Sequence, residues 1–150
     1  MPQIRPASEN KRLNVFVGKW NTKGKTIARP DSPAIEICGT DAYEWLPGRF
    51  FLIHRVDVRM GEEKVDTIEI IGSYDASSKT FPMRSFDHLG NNGLMHASLS
   101  KDGVWTLTGK SMRATLVVSV DGNMMTAKWE KMSDSSEWKH WMDLMLTKTR

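Results

Sequence analysis

Three polar side chains stand where a soluble chain would ordinarily place apolar ones: Asp41, Tyr43 and His54. Asp41 and Tyr43 belong to "ICGTDAYEW" (37–45), and His54 to "FFLIHRVDVR" (50–59). In extended chain, residues two apart share a face, so Asp41 and Tyr43 point the same way. The turn "LPGR" (46–49) joins the two segments as a hairpin. Counting back from it sets Trp45 opposite Phe50, Tyr43 opposite Leu52 and Asp41 opposite His54. A carboxylate beside an imidazole raises the histidine pKa and can act as an acid/base pair. The same pair can be a structural hydrogen bond that satisfies two buried polar groups. Both readings stay open at this point.

Other chemistry is sparse. His140 lies between Trp138 and Trp141, while His88 and His96 fall in or beside the turn "HLGNNG" (88–93). No cluster of His, Cys, Asp or Glu has metal-ligand spacing, so no metal site is expected. No phosphate-binding glycine loop, dinucleotide fingerprint or nucleophile elbow is present. The single cysteine, Cys38, has no base near it in sequence and is expected to face outward as an inert thiol. No catalytic residue is assigned.

The elements that position these residues are strands. Turn signals recur at "RPDSP" (29–33), "LPGR", "GEEK" (61–64), "DASSK" (75–79), "HLGNNG", "KDG" (101–103), "DGN" (121–123) and "SDSSE" (133–137). Between them run stretches rich in Val, Ile, Thr and aromatic residues. The spacing predicts about ten strands, at 18–28, 34–45, 50–60, 65–74, 80–87, 94–100, 104–110, 112–120, 124–132 and 138–149. Short connections make sequence neighbours pair as hairpins. A long meander curls, and closure removes its two edges. The expected fold is therefore all-β, a closed up-and-down antiparallel barrel with a short N-terminal helical turn capped by Ser8. Residues 1–9 read as a lead-in, and 10–150 as one domain.

Alternation assigns the faces. Lys19, Lys23 and Lys25 belong in water, which turns Trp20 inward. The same counting puts Ile35, Ile37, Asp41, Tyr43 and Trp45 inside on the second strand, and Phe50, Leu52, His54, Val56 and Val58 on the third. On the fourth strand Ile68, Ile70, Gly72 and Tyr74 are taken as inward. The fifth is ambiguous between Arg84 with Phe86 and Met83 with Ser85. On the ninth, Met125, Ala127 and Trp129 point in. On the tenth, Trp138, His140, Met142, Leu144 and Leu146 do, with Trp141 and Met145 outside as a surface for a homodimer. The interior is thus an apolar cup with a few polar handles, the composition of a ligand pocket. The residues expected to touch a ligand are Trp20, Asp41, Tyr43, Trp45, His54, Arg84, Trp129, His140 and Met142.

Composition narrows the classes. A net charge of +3, from 21 basic and 18 acidic residues scattered without runs, gives no footprint for nucleic acid. No apolar run reaches the roughly 18 residues that span a membrane, and no signal-peptide core is visible. With one unpaired cysteine, a cytoplasmic location is expected.

Gly18-Lys19-Trp20 after a helical turn resembles the Gly-x-Trp signature of the calycin superfamily, the lipocalins, fatty-acid-binding proteins and their relatives. The ordered set "LNVFVGKW", "YEWLPGRFFLIHRVDVRMG", "EIIGSYDASSKTFPMRSFDHLGN", "WTLTGK" and "WMDLMLTKTR" is similar to a bacterial lipocalin-like family of unknown function. The resemblance covers roughly residues 10–150 and implies a barrel with a central cavity. More distantly, "GKWNTKG" resembles in part the opening of the nitrobindin-like barrels, with Thr22 where a glycine is usual. That group binds haem through a histidine on the last strand. His140 lies near that place, although the aligned position falls at Met142 or Asp143. The expected function is binding of a hydrophobic or aromatic small molecule, without a cofactor. The alternatives are a small-barrel enzyme of cyclase or isomerase type using Asp41, Tyr43 and His54, and haem binding.

Overall fold

The computed structural model describes residues 4–149, so Met1 to Gln3 of the lead-in and the terminal Arg150 lie outside the described residues. A 3₁₀ helix, Ser8–Phe16, precedes ten strands. They are β1 (Gly18–Thr26), β2 (Glu36–Trp45), β3 (Phe51–Met60), β4 (Glu63–Gly72) and β5 (Phe81–Asp87), followed by β6 (Asn92–Leu99), β7 (Val104–Thr108), β8 (Met112–Val118), β9 (Met124–Met132) and β10 (Trp138–Lys148). Each strand pairs antiparallel with its sequence neighbour, and β1 pairs with β10 to close the barrel. The turns follow local side-chain chemistry: Asp75, Asp87 and Asp121 each accept backbone N–H groups two residues on. No helix among the described residues is long and apolar enough to cross a membrane.

The helix closes one end. It begins after Ala7, and Ser8 is its first residue rather than its cap; the Ser8 hydroxyl donates to Glu9. What fixes the helix is tertiary. Asn10 is buried and donates from Nδ2 to the carbonyls of Arg49 (3.0 Å) and Phe50 (3.3 Å), while its Oδ1 accepts from Tyr74 N–H at 3.0 Å. One amide thereby ties the helix to the β2–β3 and β4–β5 connections. Trp20, fully buried, donates to the Phe16 carbonyl at 2.8 Å, and Trp45 Nε1 donates to Asn14 at 2.7 Å. Gly18 enters β1 at a φ of +132°, a conformation that side chains other than glycine's rarely adopt.

Several inward assignments are corrected. On β4 the inner face is Val65, Thr67, Glu69 and Ile71, while Ile68 is 40% exposed. Period-2 geometry makes the choice all-or-none, and the carboxylate goes inside because it has a partner there. On β5 Met83 is buried and Arg84 is exposed. Ile35 precedes β2 and is 44% exposed. Phe50 is half-buried in the connection, before β3 begins. On β10 a bulge between His140 and Met142 interrupts the alternation. It turns Trp141, expected outside, toward the interior, and leaves Trp138 and His140 off the core. A bulge inserts one residue, so side chains beyond it change face.

Asn10→Ala removes four side-chain hydrogen bonds, to Arg49, Phe50, Ser73 and Tyr74, and leaves partly buried carbonyls unpaired. Urea unfolding is expected to show a loss of about 2–4 kcal/mol, on the order of two such groups, with the barrel retained.

Candidate functional site

The hairpin register brings the polar residues together by a different route from the expected one. Leu46 N–H donates to the Phe51 carbonyl, and Gly48 and Arg49 both have positive φ, so the four-residue loop is 47–50, displaced by one residue from "LPGR". Trp45 consequently faces Leu52, Tyr43 faces His54 and Asp41 faces Val56. The two-residue slip leaves every side chain on its original face. Asp41 and His54 meet on the diagonal, with His54 Nε2 2.6 Å from Asp41 Oδ1. Across the next pair Glu69 stands directly opposite His54, and its Oε1 lies 2.9 Å from Nδ1. The Thr22 hydroxyl on β1 donates to the remaining oxygen of Asp41. Four adjacent strands thus contribute one connected network, Thr22–Asp41–His54–Glu69.

His54 is held as an imidazolium. Burial alone would push its pKa down, but hydrogen bonds to Asp41 and Glu69 and their negative charge prevail and raise it from 6.5 to about 9. Both ring nitrogens then donate, and neither offers a lone pair to a substrate at neutral pH. The ring stacks on Tyr43 with centroids 3.9 Å apart and planes 7° apart. Phe16, from the helix, also stacks with Tyr43, with centroids 5.4 Å apart. Burial, together with the charges of Asp41 and Glu69, raises the Tyr43 pKa well above its ordinary value, so the phenol keeps its proton.

These groups face a cavity of about 440 Å³, within the range of roughly 300–1,000 Å³ typical of small-molecule pockets. Its closed end is Leu13 and Phe16 of the helix; its walls are mainly apolar, with Met83, Leu107 and Trp129 among them. It extends to the opposite rim at Asp87, Asn91 and Trp141. Of the nine residues expected to touch a ligand, Asp41, Tyr43, His54, Trp129 and Met142 line it. Trp20 and Trp45 instead secure the helix, Arg84 is on the outside, and His140 sits at the rim with Nε2 2.7 Å from Asp143. Cys38 is exposed.

Glu69 is the residue that sequence reasoning missed. Its signal is the two-residue turn Gly61–Glu62, which pairs Met60 with Glu63 and, counting back, His54 with Glu69. The described residues do not fit haem. Among those lining the cavity His54 is the one histidine, and both its nitrogens are engaged by carboxylates. No group of three or more His, Cys, Asp or Glu among the described residues is placed to hold a metal ion.

A family model described as "Protein of unknown function (DUF1579)" matches residues 5–145. No curated protein is detectably similar in sequence. Among solved structures, Rv2717c from M. tuberculosis has a TM-score of 0.71 at 13% identity, covering 97% of this chain and 99% of that one. The S-type phycobiliprotein lyase CPES from Guillardia theta has a TM-score of 0.65 at 7% identity, covering 99% of each chain. At such identities the likeness concerns the fold.

A pKa raised by folding makes stability depend on pH. The His54 contribution is present in full below 6.5 and is lost as pH rises through about 9. Denaturant titrations of the wild type are expected to show a fall of about 3 kcal/mol over that interval. Glu69→Gln, which keeps the Asp41 contact, should shrink the fall, and His54→Gln should remove it. A wild-type stability that is flat over the interval would contradict the network.

Proposed function

We propose that this chain, which belongs to the DUF1579 family, binds a mainly apolar small molecule inside its barrel and performs no reaction on it. The observation that carries the reading is the conjunction of an apolar cavity with a closed polar network at its wall. A self-filled barrel has no such volume. The network does not recommend itself as an acid/base pair, because the imidazolium already donates both protons to protein carboxylates. It suits a fixed polar handle instead. The second Glu69 oxygen and the Tyr43 hydroxyl make no hydrogen bond with any described residue, and both belong to residues lining the cavity. They would receive a hydroxyl or amine group on an otherwise apolar ligand.

Two further considerations support this reading. The fold is shared with a phycobiliprotein lyase, a protein whose name places small-molecule chemistry on such a barrel. The cup is also the arrangement that the lipocalin and calycin resemblance implies. Aromatic or aliphatic ligands of compact size suit the walls, where Met83, Met125 and Met142 can adapt their shape.

Native mass spectrometry of the purified protein, followed by denaturing extraction, tests the reading. A co-purifying apolar molecule, or uptake of decanol or dodecanol added to the empty protein, is the expected result. Ala127→Trp fills the cavity from β9 and should abolish uptake while the far-UV spectrum stays that of a barrel. An empty protein that takes up neither alcohol, or uptake unchanged in Ala127→Trp, would overturn it.

A further inference from the structure

The barrel rim opposite the helix carries a second recess, of about 350 Å³. It lies between the β1–β2 connection and the start of β10. Three cations border it: Arg29, Lys131 and Lys139. Lys131 follows Ala127 and Trp129 in the alternation of β9 but is exposed at the rim, and Lys139, also exposed, stands directly opposite it on β10. Like charges facing each other across two strands repel. Lys131 Nζ lies 3.7 Å over the ring of Trp141, and burial lowers its pKa. The Arg29 guanidinium donates to the His140 carbonyl and is held beside the recess. No carboxylate among the described residues borders it, and none of the three cations forms an ion pair there. The hydroxyl-bearing Thr26 and Ser32 complete its wall. Trp141 borders both this recess and the barrel cavity.

We infer that the rim recess is an oxyanion site, which takes the carboxylate or phosphate head of a ligand whose apolar body lies in the barrel. The inference rests on the reading of the barrel as a ligand cavity and adds the class and orientation of the ligand. With Lys131 and Lys139 at opposed positions on β9 and β10 and no carboxylate bordering the recess, an anion between them offsets two like charges. Arg29 adds a forked donor suited to two oxygens. Polarity along the barrel sets the direction. Inside, two carboxylates surround one imidazolium, an excess of negative charge that turns an anionic head away. The recess, by contrast, is bordered by cations and by no carboxylate. The ligand therefore enters apolar end first, with its head over Trp141.

The test uses three probes on the full-length protein: dodecyl phosphate, dodecanol and inorganic phosphate. Binding is followed by tryptophan fluorescence and calorimetry. Dodecyl phosphate is expected to bind at least about tenfold more tightly than dodecanol, the factor a charge-assisted contact contributes, with an advantage that falls as salt rises. In the double variant Lys131→Gln/Lys139→Gln the advantage should disappear while dodecanol affinity is unchanged. That variant removes a repulsion, so its thermal stability should equal or exceed that of the wild type. Equal affinities for dodecyl phosphate and dodecanol, or an advantage that survives in the double variant, would overturn the oxyanion site and leave the barrel reading standing. Saturable binding of inorganic phosphate with no uptake of either dodecyl compound would keep an anion site but refute the shared ligand. Binding of none of the three would refute both.

Discussion

The buried ionic chain Asp41–His54–Glu69 is the constraint on which the interior depends. It links β2, β3 and β4 through side chains at a depth where unpaired charge is costly. Each member requires the others. Without His54, two carboxylates would face each other in apolar surroundings. Without either carboxylate, burial would drive the imidazole toward its neutral form. Pairing of this kind adds little stability over well-packed apolar residues, but breaking it is expensive. The network accordingly fixes register: a slip of one residue between β3 and β4 would turn Glu69 to solvent and Ile68 or Ile70 onto the imidazolium. Tyr43, stacked on His54 and backed by Phe16, carries the same constraint to the helix.

The two ends of the barrel divide the work. At the helix end, large side chains fill the space: Trp20, Trp105 and Phe81 are almost wholly buried, and the Trp20 indole N–H is satisfied by a helix carbonyl. Asn10 secures this plug through its hydrogen bonds to the neighbouring connections. At the other end the walls are methionines, small residues and Trp141. A barrel filled at both ends would be a structural module. One filled at only one end leaves a cup, and the cup here is apolar around a single polar wall.

Much of this was legible from alternation. The fold, the strand count and the inward direction of Asp41, Tyr43 and His54 follow from turn spacing and from lysines that must face water. Three things were not legible, each for a physical reason. On β4 both faces carry isoleucines, so hydrophobicity could not choose, and only the partner on β3 reveals why Glu69 is inside. On β10 the bulge at His140 to Met142 exchanges the faces, which moved Trp141 inward and His140 out. A bulge has no side-chain signature here, since no glycine marks it. Alternation turns Trp20 and Trp45 inward, but it gives direction and not depth. It could not separate the plug from the cavity wall.

The protonation state of His54 gives the most direct test of this arrangement. Nitrogen-15 NMR of the imidazole ring, recorded as a function of pH on the folded protein, reads both ring nitrogens separately. The expected spectrum shows both nitrogens protonated at neutral pH, with a single midpoint near 9. A neutral ring at pH 7 with one bare nitrogen, titrating at or below the ordinary value of 6.5, would contradict it. His54 would then be free to act as a base, and the interior would have to be read as a catalytic site rather than a fixed polar wall.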